Sequence, residues 1–72
     1  MKTLQIVVHN ITKAEEVARH HNVKFEALML GEIFSTLANI SGTTNELIDF
    51  VNEFFMGSKV HPYYVNEILE LI

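Results

Sequence analysis

A chain of 72 residues, 49% of them hydrophobic and 19% charged, is long enough for one small domain spanning residues 1–72 and too apolar for a disordered segment. It has no cysteine, which removes disulfides, thiolate metal sites and cysteine catalysis. Eight Glu and one Asp stand against four Lys and one Arg, a net charge of −4 that disfavours nonspecific attachment to nucleic acid or to an anionic membrane.

The first nine residues, MKTLQIVVH, have too short an apolar run for a signal peptide and no small-residue cleavage site after it. No stretch approaches the roughly 20 apolar residues of a membrane span, so a cytoplasmic protein is expected. Leu4, Ile6 and Val8 alternate with Gln5, Val7 and His9, and their β-branched character predicts a short strand over 4–8. Its one mate in the chain would be 58–61, which Pro62 cuts short. The strand is therefore expected to keep an open edge for a target or a second copy of the chain, with Lys2, Leu4, Ile6 and Val8 as partner-binding residues. The alternative is an extended arm lying across the helices.

Thr12, Lys13, Ala14 and Glu15 read as a capping box that starts a first helix. Ala14, Val17, Ala18 and His21 share one face of it, and it ends near Asn22. The spacing over 24–40 predicts a long central helix. Ala27, Met29, Leu30, Ile33, Phe34, Leu37, Ala38 and Ile40 fill an arc of about 180° at the helical period, with Lys24, Glu32, Ser35 and Asn39 opposite. Leu30, Ile33, Phe34 and Leu37 are its expected core. A competing reading makes 23–27 a strand, because Val23, Phe25 and Ala27 alternate with Lys24 and Glu26. That would form a βαβ unit with 4–8; it ranks second because the helical pattern continues to Ile40.

Ser41 and Gly42 stop the central helix, with Gly42 expected as its left-handed cap. Thr43 to Glu46 supplies a further capping box, and a helix follows over 44–56, with Leu47, Ile48, Phe50, Val51, Phe54 and Phe55 on one face. Gly57 ends it. Pro62 opens a last helix whose apolar face is Tyr64, Val65, Ile68, Leu69, Leu71 and Ile72. The expected fold is mainly α: a four-helix domain with a short N-terminal strand.

Residues 14–29, AEEVARHHNVKFEALM, resemble a helix-turn-helix. Ala18 is the small residue at the crossing, Asn22 the turn residue tolerant of positive φ, and Val17, Val23 and Leu28 fill apolar slots. His21 and Gly31 depart from the pattern. The resemblance implies a helix-turn-helix in the first two helices and a dimeric DNA-binding repressor. The side chains oppose that function. The reading surface would be Lys24, Phe25, Glu26, Met29 and Leu30, whereas base edges and phosphates call for Arg, Lys, Asn and Gln.

The remaining residues form no catalytic pattern. Ser35, Ser41 and Ser58 lie in no nucleophile elbow, and there is no phosphate loop, dinucleotide fingerprint or carboxylate pair, so an enzyme is not expected. His20 and His21 point about 100° apart on a helix and cannot chelate together. Glu16 and His20 could share an ion, but two ligands do not make a site, so neither metal nor cofactor is expected. His21 is expected in the core, bonded to a carbonyl. What remains is a small acidic regulatory or inhibitory protein that binds another protein through Lys2, Leu4, Ile6, Val8, Phe25, Met29 and Tyr63. Size, acidity and capped helices resemble small phage-encoded regulators of host machinery, which implies a host protein such as RNA polymerase as partner. An antitoxin or immunity protein is the further alternative.

Overall fold

The computed structural model describes residues 1–30 and 36–71, with Met29 and Leu30 described through their backbone only. The elements are β1 (Lys2–Val8), α1 (Ile11–His20), β2 (Lys24–Leu30), β3 (Thr36–Gly42), α2 (Thr44–Phe54) and α3 (His61–Glu70). The three strands form one sheet in the order β1-β3-β2, and both pairings are antiparallel. β1 and β2 therefore run parallel to each other with β3 inserted between them, a split βαβ arrangement.

This corrects the mainly α expectation. Where a single helix over 24–40 was expected, 24–30 and 36–40 are strand. Gly31, Ile33 and Phe34 lie outside the described residues. The second helix of a helix-turn-helix is absent as well, because its residues are β2. The strand reading of 23–27 is the one the structure follows, with β3 added between the two strands. β1 has a seven-residue mate in β3, from Lys2 opposite Gly42 to Val8 opposite Thr36, and does not depend on 58–61.

Helical spacing misleads here for a physical reason. The register of β2 on β3 slips between Ala27 and Met29, so Leu28 is an extra residue, a β-bulge. The bulge breaks the period of two: Ala27 stands opposite Ala38 and Leu30 opposite Thr36, three positions along β2 against two along β3, close to the spacing of a helical turn. The residues also include Ala, Leu and Met, strong helix formers; sheet pairing overrides that local preference.

All three helices cover one face of the sheet. Leu4, Ile6 and Val8 of β1, Thr36, Ala38 and Ile40 of β3 and Val23 before β2 are buried against Ala14, Val17 and Ala18 of α1, Leu47, Phe50 and Val51 of α2, and Tyr64 and Ile68 of α3. The opposite face carries Thr3, Gln5 and Val7 beside Ser41, Asn39 and Leu37, and it is open. Leu37, expected in the core, is half-buried on that face. Leu69, expected on the apolar face of the last helix, is 60% exposed.

The ends of α1 are set by asparagines. Asn10, not Thr12, is the N-cap: its Oδ1 accepts from the Lys13 N–H at 3.0 Å. At the other end Asn22 adopts φ 57, and the Val23 N–H reaches back to the Ala18 carbonyl at 2.8 Å. That is a Schellman closure with Asn in the left-handed position. The turn at Asn22 is as expected, but it delivers the chain into a strand. α2 starts at the Thr43 and Glu46 capping box, with bonds of 2.9 and 3.2 Å. Gly42 is the last residue of β3, not a helix cap. A Cβ there would lie 3.1 Å from Glu46 Oε1, so glycine is what lets β3 approach the capping box. Gly57, at φ 80, turns the chain after α2, and Pro62 sits in the first turn of α3.

Candidate functional site

α2 and α3 bring two aromatic pairs together, Phe54 with Phe55 and Tyr63 with Tyr64. From the core outward the rings follow one another. Phe50 stacks on Phe54 at 5.5 Å between centroids, Phe54 meets Phe55 edge-on at 4.9 Å, and Phe55 lies 4.9 Å from Tyr64. Tyr63 ends the series 5.5 Å from Tyr64. Contacts of this kind each add about 0.5–1.5 kcal/mol beyond burial.

A groove of about 510 Å³ opens at this corner, between the end of β1, the end of α2 and the start of α3. Phe54, Phe55 and Tyr64 floor it; Val7 and Val60, each 40% exposed, flank it. His9, Asn10 and Ser58 bring polar atoms to its rim. Several of these polar groups are engaged with the backbone. The Val7 N–H donates to the Tyr64 hydroxyl at 3.2 Å, Asn10 caps α1, and Ser58 Oγ accepts from the Val60 N–H at 3.3 Å. What the groove offers a visitor is mainly apolar and aromatic surface, and its volume lies in the range that accepts a large side chain or a small molecule.

The bond from Val7 to Tyr64 also fixes which way the strands face. In an antiparallel ladder a residue sends its N–H and C=O to the same side. Since Val7 points to Tyr64, Val7, Gln5 and Thr3 face away from β3, and α3 guards that edge of the sheet at Val7. The same alternation across β3 directs Lys24 and Glu26 into the ladder and leaves Phe25 and Ala27 facing out from the β2 edge.

A second cavity, about 430 Å³, lies between α1 and α2 and is lined by Lys13, Glu16, Arg19, His20 and Glu53 among others. The Nε2–H of His21 donates to Glu53 Oε1 at 2.8 Å, and His20 Nδ1 is 3.9 Å from Glu53 Oε2. The hydrogen bond from His21 holds the Glu53 carboxyl below its ordinary value, helped by the charges of His21, His20 and Lys13. His21 is thus half-buried on a carboxylate, where a buried histidine on a carbonyl was expected; the pair ties the end of α1 to the end of α2. Among the described residues no three His, Asp or Glu side chains converge in a way that could hold a metal ion.

The residues singled out from sequence do not form one surface. Leu4, Ile6 and Val8 are 5%, 1% and 1% exposed, so their side chains belong to the core. Lys2 is half-buried opposite Gly42, and Phe25 is half-buried against the core on β2. Met29 lies in β2, its side chain outside the description. Only Tyr63, 59% exposed, stands beside the groove. A hydrogen bond to Glu67, and the charge of that carboxylate, raise the Tyr63 phenol above its ordinary value. The groove residues Val7, Phe54, Phe55, Val60 and Tyr64 were missed. Two aromatic pairs flanking a Gly-to-Pro connection were the available signal, and periodicity had assigned them to separate helix faces.

No helix among the described residues is long and apolar enough to cross a membrane. Comparison with protein-family models, curated proteins and solved structures finds no match to this chain.

Proposed function

We propose that this is a small acidic regulatory protein that acts by binding another protein, and that the groove at the α2–α3 corner receives an apolar or aromatic anchor of the partner. The observation that carries the reading is the composition of that corner. Phe54, Phe55 and Tyr64 make an aromatic floor, and the exposed side chains of Val7 and Val60 on its flanks, with Tyr63 against Tyr64, extend the apolar surface. Interfaces are enriched in aromatic residues and Met, and their energy concentrates in a few anchors seated in pockets. The net charge of −4 favours encounter with a partner of basic surface.

A DNA repressor is not carried forward, because the segment that would read bases is β2. The resemblance to small phage regulators makes bacterial RNA polymerase the first partner to try.

Val60→Arg tests the reading. Val60 flanks the groove, half out in solvent, so the change should leave the fold intact while placing a bulky cation over the aromatic floor. The expected result is that a partner captured by the native chain, polymerase or another protein from the source cells, is bound at least about tenfold more weakly by the variant in calorimetry, a difference of about 1.4 kcal/mol. Equal binding by the two folded proteins would show that the groove is not the contact, and capture of no partner by the native chain would overturn the reading itself.

A further inference from the structure

The two edges of the sheet are unequal. The β1 edge has the Tyr64 hydroxyl on its Val7 donor and α3 alongside. The β2 edge presents the N–H and C=O groups of Phe25 and Ala27, and no hydrogen bond to them from beyond the strand is found among the described residues. Beside them Ala27 is exposed, Leu28 is 43% exposed at the bulge, and Phe25 is only half-covered by the helices. An uncovered edge with apolar side chains is a template for another strand.

We infer that the occupant is a second copy of the chain, with β2 pairing antiparallel to its own copy about a twofold axis at Phe25, so that two sheets join into one. The charges select this partner and this register. With Phe25 opposite Phe25 of the copy, Lys24 falls opposite Glu26 of the copy and Glu26 opposite Lys24 of the copy, two reciprocal ion pairs on the open face. Inside one chain Lys24 stands opposite Ser41 and Glu26 opposite Asn39, both uncharged, and neither forms an ion pair among the described residues. A lone lysine on an edge strand repels its copy; a lysine and a glutamate two apart are self-complementary. On the inner face the same register brings the two Phe25 rings together and sets Ala27 beside Val23 of the copy. The Val23 N–H is already bound to the Ala18 carbonyl, but its C=O takes no hydrogen bond among the described residues and can accept from Ala27 of the copy. The seam then holds about four main-chain hydrogen bonds: two between the Phe25 residues and one from each Ala27.

Sedimentation velocity over a concentration series, on the native chain and three variants, tests this. Native protein should show a concentration-dependent shift from monomer to dimer. Lys24→Glu and Glu26→Lys each put like charges opposite one another twice and should each weaken the dimer roughly tenfold or more. The double variant K24E/E26K should recover native association. An equimolar mixture of the two single variants should also associate, because one is all-acidic and the other all-basic at these positions. Glu26→Lys is the sharpest arm: it reduces the net negative charge, so if bulk repulsion governed association, this change would strengthen it. A native chain that stays monomeric at its highest soluble concentration, a dimer that Glu26→Lys does not weaken, or single variants that fail to associate when mixed would each overturn the proposal. Both side chains are exposed, and circular dichroism of each variant should match the native spectrum. The seam shares no residue with the groove of the proposed function, so either can fail without the other.

Discussion

Phe50→Ala should remove most of the chain's stability at room temperature. Phe50 is 0% exposed, the largest fully buried side chain among the described residues, and its ring stacks on Phe54 at 5.5 Å, the first link in the aromatic series that leads to the groove. Removing a buried phenyl costs about 3–5 kcal/mol, the lost transfer energy plus the cavity left behind. Domains have only about 5–15 kcal/mol in total, and a chain this short belongs near the lower end. The surrounding packing can relax little, because Leu47 and Val51 on the same helix and Ile68 on α3 are themselves fully buried and held between helix and sheet. Thermal or urea unfolding followed by circular dichroism checks this. A loss below about 1 kcal/mol would show that α2 does not bury this face.

Ile6→Pro should be as damaging, and its effect should reach the helices. Ile6 sits in the middle of β1, opposite Ala38, and its N–H points into the β3 ladder by the alternation that Val7 and Tyr64 establish. Proline removes that donor inside the sheet, at a strand position where its ring is not tolerated. The buried isoleucine side chain, 1% exposed, is lost as well, worth about 2–5 kcal/mol by itself. Because all three helices rest on the inner sheet face, helical circular dichroism should collapse together with the strand signal. Helices that survived the substitution would mean that β1 is a dispensable arm, the role that 4–8 would have with no mate but 58–61.

Local signals in the sequence were sound in part: Asn10 replaces the capping box expected at Thr12 and Glu15, and Gly42 ends a strand where a helix cap was expected. The Thr43 and Glu46 capping box, the positive φ at Asn22, Pro62 in the first turn of α3 and the strand over 4–8 all depend on near neighbours, and all are present. The identity of the central stretch was not legible in this way. Whether 24–40 is one helix or two strands depends on β1, some thirty residues away, which supplies the other side of the β3 ladder. The bulge at Leu28 then removes the period-two pattern that would have marked a strand. The groove was hidden for a related reason: Val7 and Tyr64 meet only because β1 and α3 are brought together by the finished fold, with 57 positions between them. Lys24 and Glu26 carried no meaning on a helix. On a strand edge the same two letters become a self-complementary pair.

The central claim is that 24–30 and 36–42 are neighbouring strands, with β3 in the middle of the sheet. Two-dimensional nuclear Overhauser spectroscopy of labelled protein tests it most directly. Phe25 and Ile40 are opposed without exchanging hydrogen bonds, as are Gln5 and Asn39, and such pairs have Cα atoms about 4.5 Å apart. Strong Hα–Hα cross-peaks are therefore expected between Phe25 and Ile40 and between Gln5 and Asn39. An unbroken series of contacts from Hα of one residue to the amide proton three positions on, through 24–30 and 36–40, with those cross-strand peaks absent, would contradict the account and restore the single helix.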